Sequence, residues 1–228
     1  MGVTIASKTA VRRWGAGTAA IARLLIGADA PLTGVAIGEA VGVTQPRASQ
    51  VLKQLAAHDA VRATESGYVG RRARLLELYG TRARPLLVEP EAHWYSTRPM
   101  AEQASRIVRT ASAAKVPIAF SADLAPDLLV PWRHPTLTVL YTQDRLPLDA
   151  AQLVPAEGRA DASVIVRWTS DSSLLAPAPL WPHHVDNIPV TDPVQQWWDL
   201  LDLGGEDRRE AADRLRKAIL DRTISRAR

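Results

Sequence analysis

The stretch Val43-Thr44-Gln45-Pro46-Arg47-Ala48-Ser49-Gln50-Val51-Leu52-Lys53-Gln54-Leu55 decides how this chain is read. Ala48, Val51, Leu52 and Leu55 recur at helical spacing and form one apolar stripe. Thr44 is placed to cap the helix, because a hydroxyl there accepts a first-turn N–H. Pro46 falls in that first turn, where a missing N–H costs little. The other side carries Pro46, Ser49, Gln50, Lys53 and Gln54, with Gln45 and Arg47 at the N-terminal end.

Just upstream, Gly42 sits where a tight turn needs a residue tolerant of positive φ. Before it, Thr33 caps a short helix through Val35, Ile37 and Val41, and Pro31 separates that helix from a first one expected over Val11 to Ile26. Two capped helices around a Gly turn are the helix-turn-helix pattern. Downstream, Ala60 to Thr64 predicts a strand, Glu65-Ser66-Gly67 a turn and Tyr68 to Arg71 the returning strand. Arg62, Arg71 and Arg72 place positive charge on or beside this hairpin, and a helix over Ala73 to Tyr79 closes the unit.

On these residues the chain resembles the winged helix-turn-helix repressors of the MarR and ArsR type, whose recognition helix carries a V-[ST]-Q-[PS]-x-[VA]-S-x-x-[IL]-x-x-L pattern. The resemblance covers roughly residues 18–80. It implies that the helix enters the major groove of double-stranded DNA, with its first residues on base edges and the wing on phosphates. Carried onto this chain, Gln45, Arg47, Ser49 and Gln50 are the candidate base readers, with Pro46 at the same surface. Thr44, Lys53, Arg62, Arg71 and Arg72 are the candidate phosphate contacts. A single such module binds weakly, so a homodimer or a second contact surface is expected.

Composition divides the chain. Its 228 residues suit one large domain or two small ones. Residues 1–90 hold twelve basic residues and six acids, a net of +6, whereas residues 91–228 net −2. A basic unit joined to a near-neutral one suggests that the first part meets a polyanion. Fourteen of the 16 prolines lie between Pro85 and Pro193, so we expect a DNA-binding domain over 1–84, a linker over 85–98 and an α+β domain over 99–228. The absence of cysteine excludes disulfides, thiol catalysis and Cys-ligated zinc, and fits a reducing cytoplasm. Met1 to Lys8 has no apolar leader core and no run of about 18 apolar residues occurs, so a cytoplasmic location without membrane contact is expected.

In the second part the patterns predict a helix over Pro99 to Ala114, a strand over Val116 to Phe120 and a helix or turn over Ala122 to Val130. Strands follow over Thr136 to Tyr141, Ala162 to Trp168 and Asn187 to Val190. Asp192, Pro193 and Gln195 predict a capping box opening a helix with Val194, Trp197, Trp198 and Leu201 on its apolar face. Gly204 and Gly205 end it, and a last helix carries Ala211, Ala212, Leu215, Ala218 and Ile219.

The tail Ile188-Pro189-Val190-Thr191-Asp192-Pro193-Val194-Gln195-Gln196-Trp197-Trp198-Asp199-Leu200-Leu201, with Gly204-Gly205 and Glu210-Ala211-Ala212-Asp213-Arg214-Leu215-Arg216, is similar to the C-terminal region of AbiEi-type antitoxins. That resemblance implies an autoregulating transcriptional repressor of a type IV toxin–antitoxin operon, with a nucleotidyltransferase-like toxin as functional partner.

Two other functions are weighed. A one-component regulator would bind a small effector in its second domain. A divergent nucleotidyltransferase would place a phosphate-holding turn at Phe120-Ser121-Ala122 and metal-binding acids near Tyr141 to Asp144. That turn lacks Gly and Asp144 stands alone, so a degenerate core without catalysis is expected. His183, His184 and Asp186 read as a loop rather than a metal site, because adjacent histidines point apart. No cofactor or metal is expected.

Overall fold

The structure, a computed structural model, describes residues 13–132, 134–176 and 180–224. The first six elements are α1 (Ala16–Gly27), α2 (Gly34–Val41), α3 (Gln45–Ala57), β1 (Val61–Thr64), β2 (Gly67–Gly70) and α4 (Arg72–Arg82). Of the first helix expected from sequence, Val11 and Arg12 lie outside the described residues, and the helix begins at Ala16. Gly42 ends α2 in the left-handed region at φ 68°. β1 and β2 pair antiparallel. Leu32, in the connection between α1 and α2, exchanges backbone bonds of 3.0 and 2.8 Å with Tyr68 and so adds a one-residue third strand. Gly67 permits this approach. Its φ is 136°, and a Cβ there would sit 2.5 Å from the Leu32 carbonyl oxygen.

The chain continues through β3 (Ala92–Tyr95), α5 (Met100–Ala114), β4 (Ile118–Asp123), α6 (Leu124–Leu129), β5 (Thr138–Thr142), β6 (Val154–Pro155) and β7 (Val164–Trp168). It ends with α7 (Ser172–Leu175), β8 (His184–Val185), β9 (Ile188–Pro189), α8 (Pro193–Leu203) and α9 (Glu206–Asp221). The whole is α+β. Its main sheet has the order β4-β5-β7-β3-β6, with β5 and β7 parallel and the other pairs antiparallel. Alternation along the strands serves two faces. Phe120, Leu140, Val164 and Val166 pack with Ala104, Ile107 and Ala111 of α5. Val139, Tyr141 and Ile165 point the other way, with Leu174 of α7.

Four details differ from the sequence expectations. The expected linker 85–98 contains β3, which pairs with β7 and β6, and Leu87 bridges Thr169 beyond β7. Pro90 and Pro99 flank the strand without interrupting its bonds, so a proline-rich stretch still joins the sheet. Phe120-Ser121-Ala122 is no turn but lies inside β4. Ser121 is buried there and its hydroxyl donates to Asp199 at 2.5 Å. Thr44 occupies the cap position of α3 without a side-chain capping bond. The second helical residue is Pro46, which has no N–H to offer. Asp192 does cap α8, accepting from the Val194 and Gln195 N–H groups at 3.0 Å each. Gln195 does not close a capping box, because its side chain serves two buried tyrosines instead: Tyr79 donates to its Oε1 at 2.7 Å and its Nε2 donates to Tyr141 at 3.1 Å.

Helix α8 lies between the sheet and the first helices, and every residue from Pro193 to Leu200 is buried. One apolar core therefore runs from Ile21, Leu24, Leu52, Leu55 and Leu76 through Val194, Trp197 and Leu200 to Leu215 and Ile219. Trp197 packs on Gly80 and Trp181 on Gly27, where an added Cβ would in each case come within 2.8 Å of the indole. These two glycines leave room for the indoles of the C-terminal part.

Candidate nucleic-acid interface

Apolar packing fixes which side of α3 faces water. Ala48, Val51, Leu52 and Leu55 are buried against α1 and α2, so Gln45, Pro46, Gln50 and Lys53 are exposed and Ser49 is half-buried. Thr44 is exposed at the start of the helix. Gln45 Nε2 donates to Ser49 Oγ at 3.4 Å, so these two side chains lie one turn apart on one strip. Lys53 has no ion-pair partner among the described residues, and the same holds for Arg62, exposed on β1 opposite Val69.

The remaining predicted cations are engaged. Arg71 is exposed and paired with Asp59. Arg72 is mostly covered, and it donates to Asp29 at 2.7 Å and to the Ala28 carbonyl at 2.9 Å. It holds α4 to the end of α1, a structural use for a residue expected to meet phosphate. Arg47 turns along its own helix, donating to Gln50 Oε1 at 2.7 Å and toward Thr18 Oγ1 at 3.4 Å. There it faces Arg13 and Arg82 across a cleft. Sequence alone does not single out those two arginines, because neither shares an element or a spacing with α3.

Beneath this surface a polar network crosses the molecule. Arg23 of α1 is buried. Its Nε meets Asp192 at 2.7 Å, and it also donates to the Tyr79 hydroxyl at 3.0 Å and to Ser173 at 2.6 Å. Tyr79 and Tyr141 are bridged by Gln195, and Tyr141 donates to Asp199 at 2.9 Å. Arg167 of β7 donates to Asp199 and to Asp202 at 2.6 Å each, and to Glu91 at 3.3 Å. Burial disfavours the Arg23 charge, but the nearby oxygens outweigh it and its pKa is raised. Burial also pushes the Tyr79 and Tyr141 hydroxyls well up, so both stay neutral donors.

A second concavity, of about 1020 Å3, opens between the end of β3, the start of α5 and the segment before β5, lined by Tyr95, Arg98, Met100, Gln103, Leu137 and Arg208. Among the described residues no group of three or more His, Asp or Glu side chains is placed to hold a metal ion. No described helix is long and apolar enough to cross a membrane. No protein-family model, curated protein or solved structure matches the chain.

Proposed function

We propose that this chain is a sequence-specific, DNA-binding transcriptional repressor whose residues up to about 84 form a winged helix-turn-helix. The observation that carries the reading is the solvent-facing strip of α3. Gln45, Pro46, Gln50 and Lys53 stand clear of the core, with Ser49 half-buried beside them, on a helix that follows a left-handed Gly42 turn, and a hairpin bearing Arg62 follows. Gln45, Ser49 and Gln50 offer donors and acceptors to base edges, and Lys53 and Arg62 offer charge to phosphates. The N-terminal charge excess favours a polyanion over a neutral protein partner.

The tail resemblance makes this an autoregulating antitoxin of the AbiEi kind, beside a nucleotidyltransferase-like toxin, with homodimers on repeated half-sites. No catalytic role is proposed. The test is binding to the DNA upstream of its own reading frame, against random duplex, over a salt series. A preference of about 10³ or more supports a specific repressor. Equal, salt-sensitive binding to both would leave a nonspecific basic module and sink the proposal.

The 1020 Å3 concavity favours one alternative, a one-component regulator that binds a small effector there. Its size suits a metabolite. A screen for compounds that both raise the Tm and release operator DNA separates the two.

A further inference from the structure

Three arginines from three parts of the chain line one cleft beside α3. Arg13 leads into α1, Arg47 lies on the flank of α3 and Arg82 ends α4. With Trp14, Thr18 and His58 they line a cleft of about 200 Å3. The wall is fixed: the Trp14 N–H donates to the Arg82 carbonyl at 2.9 Å, and the Trp14 ring packs edge-on against Tyr79 at 6.2 Å. Arg82 donates to His58 Nε2 at 3.0 Å. No carboxylate lines the cleft among the described residues. Several other arginines meet acids, as in Arg71 with Asp59, Arg72 with Asp29, Arg159 with Glu91 and Arg208 with Asp123. Guanidinium groups gathered without a counter-charge repel one another and attract an anion.

Size and place narrow the anion. The cleft is smaller than the roughly 300–1,000 Å3 of small-molecule pockets. It suits one phosphate group, for which the planar donors of arginine are matched. Arg47 and Gln54 of α3 form one of its sides, so an anion held there lies along the flank of that helix. A helix seated in the major groove has the sugar–phosphate backbone on its flanks.

We infer that this cleft clamps a single backbone phosphate of the bound duplex through Arg13, Arg47 and Arg82. Arg47 is then a positioning contact and not a base reader. The inference rests on the DNA-binding reading above.

Gly15 supplies a variant that tests it without loosening the fold. Gly15 lines the cleft and is the cap residue of α1, at φ −79° and ψ 167°, and a Cβ there meets nothing within 4 Å. An aspartate at a helix cap is favourable. Gly15→Asp therefore keeps or raises the Tm while placing a carboxylate among the arginines.

With the full chain, binding to its upstream duplex and to random duplex is measured over a salt series for the wild type, Gly15→Asp, Arg13→Gln and Arg82→Gln. We expect each variant to weaken both duplexes by the same factor. Each arginine variant should flatten the slope of log K against log salt by about one. Unchanged affinity and slope in all three variants, with wild-type binding intact, overturn the clamp and leave the repressor standing. Losses confined to the upstream sequence overturn it too, because they mark base reading. If the wild type binds no duplex, the repressor falls and the phosphate clamp with it. Inorganic phosphate then separates the causes. A Tm increase in the wild type that Arg82→Gln abolishes shows an anion site serving something other than DNA, and no increase shows no site.

Discussion

Arg23 is a cation inside the core, held by Asp192, Tyr79 and Ser173 with Asp171 at 3.7 Å. Removing one partner of a buried pair leaves an uncompensated charge, which costs more than the pair itself contributes. Arg23→Met should therefore lower stability by about 3–5 kcal/mol in urea unfolding. A loss below about 1 kcal/mol would show that water enters to solvate Asp192. Gly67→Ala should cost about 1–3 kcal/mol, since its φ of 136° is strained for any L side chain and Leu32 O blocks the Cβ. Wild-type stability in that variant would remove the Leu32–Tyr68 bridge from the account of the hairpin. Residue identity alone revealed little of this. Ile21, Leu24 and Leu25 are legible as an apolar face, but the arginine between them looks like a surface residue until Asp192 and Tyr79 are brought to it by tertiary packing.

Among the elements, α3 was the most legible, because its four apolar positions repeat at the helical period and Pro46 stands in its first turn just after the Gly42 that ends α2. Lys53→Ala on its outer strip should weaken binding to specific and random duplex equally and flatten the salt slope by about one. Gln50→Ala should cost about 1–3 kcal/mol on the preferred sequence and little on random DNA. Competition binding of specific and random duplex over a salt series checks both. β3 was illegible: four residues between prolines carry too little alternation to signal a strand, and its pairing with β7 is made across distant sequence. That strand brings Glu91 to Arg159 and Arg167. Burial pushes the Glu91 carboxyl up, but Arg159, His93 and Arg167 outweigh it and hold it down at about 2. Its stabilisation is complete above the ordinary value of 4.5 and is lost as pH falls from there toward 2. Glu91→Gln should accordingly flatten the acid limb of the stability curve between those values, as read by circular dichroism of urea-unfolding midpoints. An unchanged limb would show that the cluster does not drive acid unfolding.

At the scale of the whole molecule, charge and proline content point to two bodies joined by a linker, whereas the apolar core is shared. Composition counts residues but not their neighbours. Trp197 reads as a core residue from its helix, yet nothing near it in sequence names Gly80 as its seat. With α8 and α9 missing, Gly80 would lose the Trp197 indole, Tyr79 its Gln195 partner and the shared core its C-terminal members. A fragment of residues 1–84 should therefore lack a cooperative unfolding transition, and the full chain should melt in one step by calorimetry. A fragment that melts cooperatively would show that the helices and hairpin have a sufficient core of their own. On the proposed DNA-binding function, the seating of two indoles on Gly27 and Gly80 also bears on how the protein is recoded for another target sequence. A foreign reading head with any larger residue at either position would collide with the indole there. New specificity is therefore better introduced by exchanging the few water-facing side chains of α3 in place than by transplanting the unit that carries them.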